Sequence, residues 1–294
     1  MPEKRIIRIG TRGSDLALWQ ANFVKSSLEH LGQHVEIIII HTQGDKIQDL
    51  SFDKLEGKGF FTKEIEQALL QNEIDLAVHS HKDLETTSPE GLIIAAVSDR
   101  EDPSELLLVR NESIDKSQKW QLKNSGTIGT SSARRKSQIL THRPDLIIKD
   151  LRGNVPTRIQ KLRDGHYDAI LLAKAGVNRL QLNLSDLFCV TLDPTEFVPA
   201  PAQGVLGLQI RSNDSTLQEI LGELNHAETK DKIDIERGVL KKMDGGCQLP
   251  LGVLSSGPKT YVSYSKNANE SAHYYSFDND EFVVDKIVGH LKSI

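Results

Sequence analysis

Apolar positions recur along the chain in two alternating rhythms. Ile6 to Thr11 is a short strand-like run; the turn Arg12-Gly13-Ser14 follows, and Leu16, Trp19, Ala21, Phe23, Val24 and Leu28 then fall near a helical period. Val35 to His41 is an apolar run short enough for a buried strand. A polar stretch from Gln43 to Gly59 leads into a helix from about Thr62 to Gln71, and Asp75 to Val78 supplies the next strand. This βαβ rhythm predicts a mostly parallel sheet with helices on its faces.

A second series starts after Asp102-Pro103. Leu106 to Val109, Thr127 to Gly129, Leu146 to Leu151 and Ala169 to Ala173 read as strands, with helices starting near Ser131, Asn154 and Ala175. Two similar halves are expected, joined by the Pro-rich segment Pro194 to Pro201, with Val205 to Ile210 as a further strand. Beyond Asp214 come two helical stretches, Gly245-Gly246-Cys247, a small sheet around Tyr261, Ser263 and Tyr274 to Phe277, and a last helix near Glu281 to Leu291.

Composition narrows the class. A chain of 294 residues is about twice the usual domain size, and 38% hydrophobic with 26% charged residues supports a folded core. The 36 basic and 41 acidic residues leave a net charge of −5, which argues against a dedicated nucleic-acid binder and makes any anion site local. Only two cysteines, Cys189 and Cys247, occur; they suggest neither a disulfide framework nor a zinc site, and fit a reducing cytoplasm. Cys189, inside Leu187 to Leu192, reads as a core residue. Met1 to Arg5 runs straight into the first strand with no signal-peptide pattern, and no apolar run suits a membrane span, so no membrane partner is expected.

Three strand-to-helix turns carry Arg with small or hydroxyl residues: Arg12-Gly13-Ser14, Thr130-Ser131-Ser132-Ala133-Arg134-Arg135 and Arg152-Gly153-Asn154. Helix N-termini offer unpaired N–H groups and arginine adds planar bidentate donors, so each turn suits a carboxylate or phosphate. Singly, each reads as an ordinary N-cap beside a solvated arginine. Together, at the carboxyl ends of strands, they read as one anion site. Lys54, Lys58, Arg158 and Arg179 extend that basic lining or are surface charges. Neither a Walker A nor a Gly-x-Gly-x-x-Gly fingerprint is present.

His79-Ser80-His81-Lys82-Asp83 would place His79, His81 and Asp83 on one face of an extended chain, where they could ligate a metal. Alternatively Asp83 is the acid/base carboxylate of a cleft, or a turn cap. Gly245-Gly246-Cys247-Gln248-Leu249-Pro250 combines flexible glycines with a helix-stopping proline and leaves the thiol approachable. That thiol is either reactive or a buried, inert one.

Read together, Arg12-Gly13-Ser14 with Leu16 to Ala21, Gly57-Lys58-Gly59, His79-Ser80 with Lys82-Asp83, Gly129 to Ser132 with Arg134-Arg135, Arg143 to Leu146, Leu151 to Val155, and Gly245 to Gln248 with Pro250 resemble the hydroxymethylbilane synthase (porphobilinogen deaminase) family. The match runs in order from about Arg8 to Gly252. The resemblance implies an α/β fold: two type 2 periplasmic-binding-protein-like domains around a cleft plus a small α+β C-terminal domain carrying the cofactor cysteine. The expected boundaries are 1–101 with 204–222, then 102–203, then 223–294.

It further implies a transferase that joins porphobilinogen units head to tail, with loss of ammonia, on a dipyrromethane cofactor held by a thioether to Cys247. The growing chain is a polyanion, which accounts for the arginines. Asp83, Lys82 and Arg12 match catalytic positions. Ser14, Lys58, Asp83, Thr130, Ser131, Ser132, Arg134, Arg135, Arg152 and Gly153, besides Cys247, match cofactor contacts. Arg12, Arg152, Arg158 and Arg179 match substrate contacts, and no metal is implied. The family expectation is a cytoplasmic monomer that hands its product to uroporphyrinogen-III synthase. Two departures stand out: His81 replaces the usual Met or Leu, and Leu84-Glu85 replaces Val-Pro. The stretch after Cys247 reads as a short third domain. Apart from the resemblance, the arginine-bearing turns alone also fit a non-catalytic two-lobed protein that binds carboxylates or phosphates, and the histidines a metal-dependent hydrolase.

Overall fold

The computed structural model describes residues 5–42, 62–246 and 248–294. The chain divides into two compact units, Met1–Glu101 with Val205–Asp231, and Asp102–Gly204 with Lys232–Ile294.

The first unit runs β1 (Ile6–Thr11), α1 (Asp15–His30), β2 (His34–Ile39), α2 (Lys63–Leu70), β3 (Leu76–Ser80) and β4 (Leu92–Val97). Its five-stranded sheet is completed by β10 (Leu206–Arg211), between β3 and β4, in the order β2-β1-β3-β10-β4. β1 is parallel to β2 and β3, whereas β10 is antiparallel to both its neighbours. By direction the sheet is mostly parallel, as expected, and β10 alone runs against the other four strands. A strand that returns from elsewhere in the chain need not obey the right-handed βαβ crossover that makes neighbours parallel. Both faces are covered, as the near-continuous apolar strands require. Leu76 and Val78 of β3 pack with Val24 and Leu28 of α1 and with Leu217 and Leu221 of α6 (Ser215–Gly222). Ala77, pointing the other way, packs with Ile65 and Leu69 of α2. Asp75, at the foot of β3, accepts from Arg5 at 2.6 Å, Arg8 at 2.9 Å and Arg211 at 2.8 Å. These arginines hold its carboxyl well below the usual range although burial opposes them.

The second unit repeats the plan. β5 (Glu105–Arg110), β6 (Thr127–Gly129), α3 (Ala133–His142), β7 (Ile147–Lys149), α4 (Val155–Arg163), β8 (Ala169–Ala173), α5 (Lys174–Leu180) and β9 (Leu187–Leu192) form a sheet in the order β7-β6-β8-β5-β9. Again β6 is parallel to two neighbours and the strand next to the edge, β5, is antiparallel to both of its own. Leu107 and Val109 face one cluster with Ile128 and Phe197, and Leu106 and Leu108 face another with Ile159 and Leu162. The two halves thus share one strand order and one pattern of directions.

After α7 (Ala227–Lys242), β11 (Leu251–Ser256), β12 (Lys259–Tyr264) and β13 (His273–Asp278) make an antiparallel sheet backed by α8 (Val283–Lys292). Val239, Val253, Val262, Ile287 and Leu291 form its core. Gly252 lies against Val198, and the fully buried Glu236 accepts from the backbone N–H of Ala202 at 2.7 Å and of Ser255 at 2.9 Å.

Cys189 is exposed, which corrects its reading as a core residue. On the edge strand β9, Phe188, Val190 and Leu192 turn inward and the alternation sends Cys189 and Thr191 outward.

Candidate active site

In the first sheet, the segments following the parallel strands β1 and β3 leave from one edge. Arg12-Gly13-Ser14 follows β1, and Ser14 caps α1 by accepting from the N–H of Ala17 at 3.4 Å. Arg12 is half-buried beside it. From α1, Gln20 donates to Ser80 Oγ at 2.8 Å, tying the helix to the end of β3.

β3 ends at Ser80, and His81–Asp83 form one turn of 3-10 helix. That turn removes the alternation on which a shared face for His79, His81 and Asp83 depended, so the metal reading loses its geometry. His79 is buried, and its Nε2 meets Gln209 Oε1 at 3.1 Å, while Gln209 Nε2 donates to Glu66 at 3.0 Å. The carboxylate can only accept from the amide, so the amide oxygen faces the imidazole and the proton of a neutral ring sits on Nε2. Burial pulls His79 down to about 4. His81 is buried against Gly207, where a Cβ would lie 3.0 Å from the ring, and Leu84 is buried as well. The turn leaves Lys82 half-buried and Asp83 exposed. The unusual His81 is thus an interior residue, and the two residues after it form the outer surface of the turn.

In the second unit, β6, β7 and β8 are parallel, so their carboxyl ends also share an edge. Ser132, not Ser131, caps α3, accepting from the N–H of Arg135 at 3.4 Å. Ser131 instead donates to the carbonyl of Leu151 at 3.1 Å and accepts from its N–H at 3.0 Å, joining the turn after β6 to the turn after β7. Thr130 Oγ1 accepts from the N–H of Ser132 at 3.3 Å. Gly153 has φ +112°, and a Cβ would meet Thr157 at 2.7 Å, so both conformation and space require glycine. Asn154 caps α4, and Arg158 Nε donates to the carbonyl of Gly153 at 2.7 Å. Thr130, Ser131, Ser132, Arg152, Gly153 and Arg158 therefore lie together along this edge, with Arg152 and Arg158 half-buried.

The other arginines point inward. Arg134 donates to Glu105 at 2.6 Å and to the carbonyl of Val198 at 2.9 Å; Arg135 donates to Glu105 at 2.6 Å and to the carbonyl of Leu171 at 3.0 Å. Gln203 adds a 3.2 Å hydrogen bond to the same carboxylate. Burial lowers the Arg134 pKa, opposed by Glu105 and reinforced by Arg135, yet a guanidinium remains charged at any ordinary pH. Arg179 is buried and donates to the carbonyl of Gly204 at 2.6 Å. Glu105 was absent from the expected site. Its one signal is a lone acid at the head of the apolar run Leu106 to Val109.

Lys54, Lys58 and Cys247 lie outside the described residues. Beside the cysteine, Gly245 packs where a Cβ would come within 2.6 Å of Leu249 and 2.8 Å of Leu240, so a larger residue there would have to push both leucine side chains aside. Among the described residues no group of three His, Cys, Asp or Glu is placed to hold a metal ion, and no helix is long and apolar enough to cross a membrane.

A family model described as "Porphobilinogen deaminase, dipyromethane cofactor binding domain" matches residues 7–219. The chain is 44% identical over 294 residues to a porphobilinogen deaminase of Trichlorobacter lovleyi, covering 98% of this chain and 89% of that one. It is 46% identical over 259 residues to one of Nitratidesulfovibrio vulgaris, covering 86% and 80%. With one of Sulfurimonas denitrificans it shares 46% identity over 253 residues, covering 84% and 78%. Among solved structures it is similar to an ABC transporter periplasmic substrate-binding protein from Coxiella burnetii, at 14% identity and TM-score 0.45 over 79% of this chain and 96% of that one.

Proposed function

Because the chain belongs to the porphobilinogen deaminase family, we infer that it is a hydroxymethylbilane synthase, a transferase of tetrapyrrole and heme biosynthesis that condenses porphobilinogen head to tail. The observation that carries this reading is the match of the cofactor-binding family model across both α/β sheets.

The second unit suits an acidic cofactor. The first N–H groups of α3, the hydroxyls of Thr130 and Ser132, and Arg152 lie along one sheet edge, and among the described residues the buried Arg135 Nε has no hydrogen-bond partner. A carboxylate-bearing group would supply the missing acceptors and counter-charge. When bound through Cys247, the dipyrromethane supplies the nucleophilic pyrrole end from which the chain is extended.

This chain's own residues then bind, orient and move protons. Arg12, Arg152, Arg158 and Arg179, with Lys58 and Ser14, are proposed to hold acetate and propionate groups, and bidentate guanidinium contacts would fix their direction. Lys82, on the same turn as Asp83, is proposed to hold a substrate carboxylate during reaction. Asp83, exposed on the turn after β3, is proposed as the catalytic carboxylate. Loss of ammonia leaves positive charge on the substrate ring, and a nearby carboxylate stabilises it while accepting hydrogen bonds from ring N–H groups. After the new carbon–carbon bond forms, the same carboxylate can take the proton lost from the α-carbon of the attacking pyrrole. The sheet and core of β11 to β13 support treating 223–294 as a third domain, bearing the attachment cysteine. A monomeric, cytoplasmic enzyme that passes its product to uroporphyrinogen-III synthase completes the proposal.

Intact-mass measurement tests it. The purified chain should exceed its sequence mass by two pyrrole units, and Cys247→Ala should remove that increment together with turnover of porphobilinogen. An unmodified protein that never turns porphobilinogen over, even after preincubation with it, would sink the proposal.

A further inference from the structure

Two buried guanidiniums around one buried carboxylate are an unusual concentration of charge. Glu105 is 0% exposed, Arg134 5% and Arg135 6%. Burying ions is expensive unless each is paired and hydrogen-bonded, so a cluster with two cations and one anion retains a positive charge that nothing within it cancels. Its hydrogen bonds tell the same story. Glu105 Oε1 accepts from Arg134 and Gln203, and Oε2 accepts from Arg135, while each arginine's other terminal nitrogen donates to a main-chain carbonyl. Among the described residues the Nε of Arg135 is left buried with no acceptor. Among the described residues, then, the two arginines are one negative charge and at least one acceptor short.

Its place in the fold is also specific. Glu105 opens β5, the strand that runs against its neighbours, and pairs across the sheet with Ala173 and Leu192. Arg134 and Arg135 sit in the first turn of α3, where the helix adds partial positive charge and where Ser132 and Thr130 line the sheet edge. The carboxylate therefore grips the start of α3 from beneath.

We propose that Glu105 is a positioning residue for anion binding: it fixes the Arg134 and Arg135 guanidiniums below the start of α3 and cancels one of their two charges, so that the pair accepts a single ligand carboxylate. Without it, two like charges face each other at close range and no anchor sets their direction. This rests on the reading that the two arginines serve the cofactor.

The test follows cofactor loading of full-length apoprotein by intact mass during incubation with porphobilinogen, well below the melting temperature of each variant. Glu105→Gln should load at least about tenfold more slowly than the wild type, and Glu105→Asp, which keeps the charge, should recover part of the rate. Asp75→Asn, in the first unit, controls for lost stability and should load at the wild-type rate. If folded Glu105→Gln loads normally while Arg135→Gln does not, the positioning role is overturned and the arginine reading stands. If Arg135→Gln itself loads normally, the arginine reading falls and the proposal falls with it. Should Glu105→Gln fail to fold, Glu105→Asp decides: slowed loading supports the role and wild-type loading overturns it.

Discussion

Mild acid should weaken this protein through one side chain in particular. His79 is buried and titrates at about 4 against an ordinary 6.5, because burial disfavours the imidazolium more than the Gln209 hydrogen bond favours it. The unfolded chain therefore binds a proton that the folded chain refuses, and stability falls as pH drops from about 6.5 toward 4. At about 1.36 kcal/mol per pH unit, the full loss is roughly 3 kcal/mol, of which about 2 kcal/mol is reached by about pH 5. Above about pH 7 the contribution is complete and flat. Glu66, at the far end of the same hydrogen-bond chain, acts in the opposite sense, since burial raises its pKa and protonation relieves that burial. Comparison with His79→Gln cancels the Glu66 effect, because glutamine can still donate to Gln209 but does not titrate. Urea unfolding followed by circular dichroism at about pH 7.5, 6 and 5 should show the wild type losing about 2 kcal/mol more than the variant. Parallel pH dependences for the two proteins would refute the buried neutral imidazole.

Asp83→Asn should leave the fold and the mass increment on Cys247 intact while lowering kcat on the order of a hundredfold or more, as expected when one charge-stabilising group is removed; single-turnover kinetics with porphobilinogen would show it, and near-normal turnover would end the assignment. Gly252→Ala should destabilise by about 1–3 kcal/mol, because the new Cβ falls 2.5 Å from Ser263 Oγ and 2.6 Å from the carbonyl oxygen of Val198. Unchanged thermal unfolding would contradict that clash. Asp75→Asn should cost about 3 kcal/mol, the low end for a broken buried ion pair, since Arg5 and Arg8 reach solvent and Arg211 is the partner left most deeply unpaired. Denaturant titration measures it, and a loss below about 1 kcal/mol would show the three arginines to be dispensable partners.

What could be read from residue order was local. β1, β6 and β8 occupy the stretches expected of them because each is an apolar run bounded by turn residues, which periodicity detects without help from the rest of the chain. The edge strands β4 and β9 escaped notice, β9 because its half-exposed alternation looks like buried core until its neighbours are known. Direction was equally hidden: Leu106 to Val109 and Val205 to Ile210 were legible as strands, but their antiparallel setting depends on where the chain has been before. At the site, hydroxyl residues at a helix start were recognisable, yet only tertiary structure distinguishes the cap, Ser132, from the cross-link, Ser131. Arg134 and Arg135 were noticed and their inward partner was not, because Glu105 lies about thirty residues earlier and no local rule joins them.

The antiparallel strand between β3 and β4 has a consequence for how the protein is made. β10 leaves the ribosome only after roughly a hundred further residues have followed β4, a long loop to close in any folding reaction. Until then the nascent first unit holds β3 and β4 apart with an open slot between two apolar strand edges, the kind of surface that recruits wrong partners. β5 waits less, since its partners β8 and β9 follow about sixty and nearly eighty residues later and the second sheet has all its strands before β10 is made. The two halves that look alike when finished therefore mature on different schedules, the first born early and completed late.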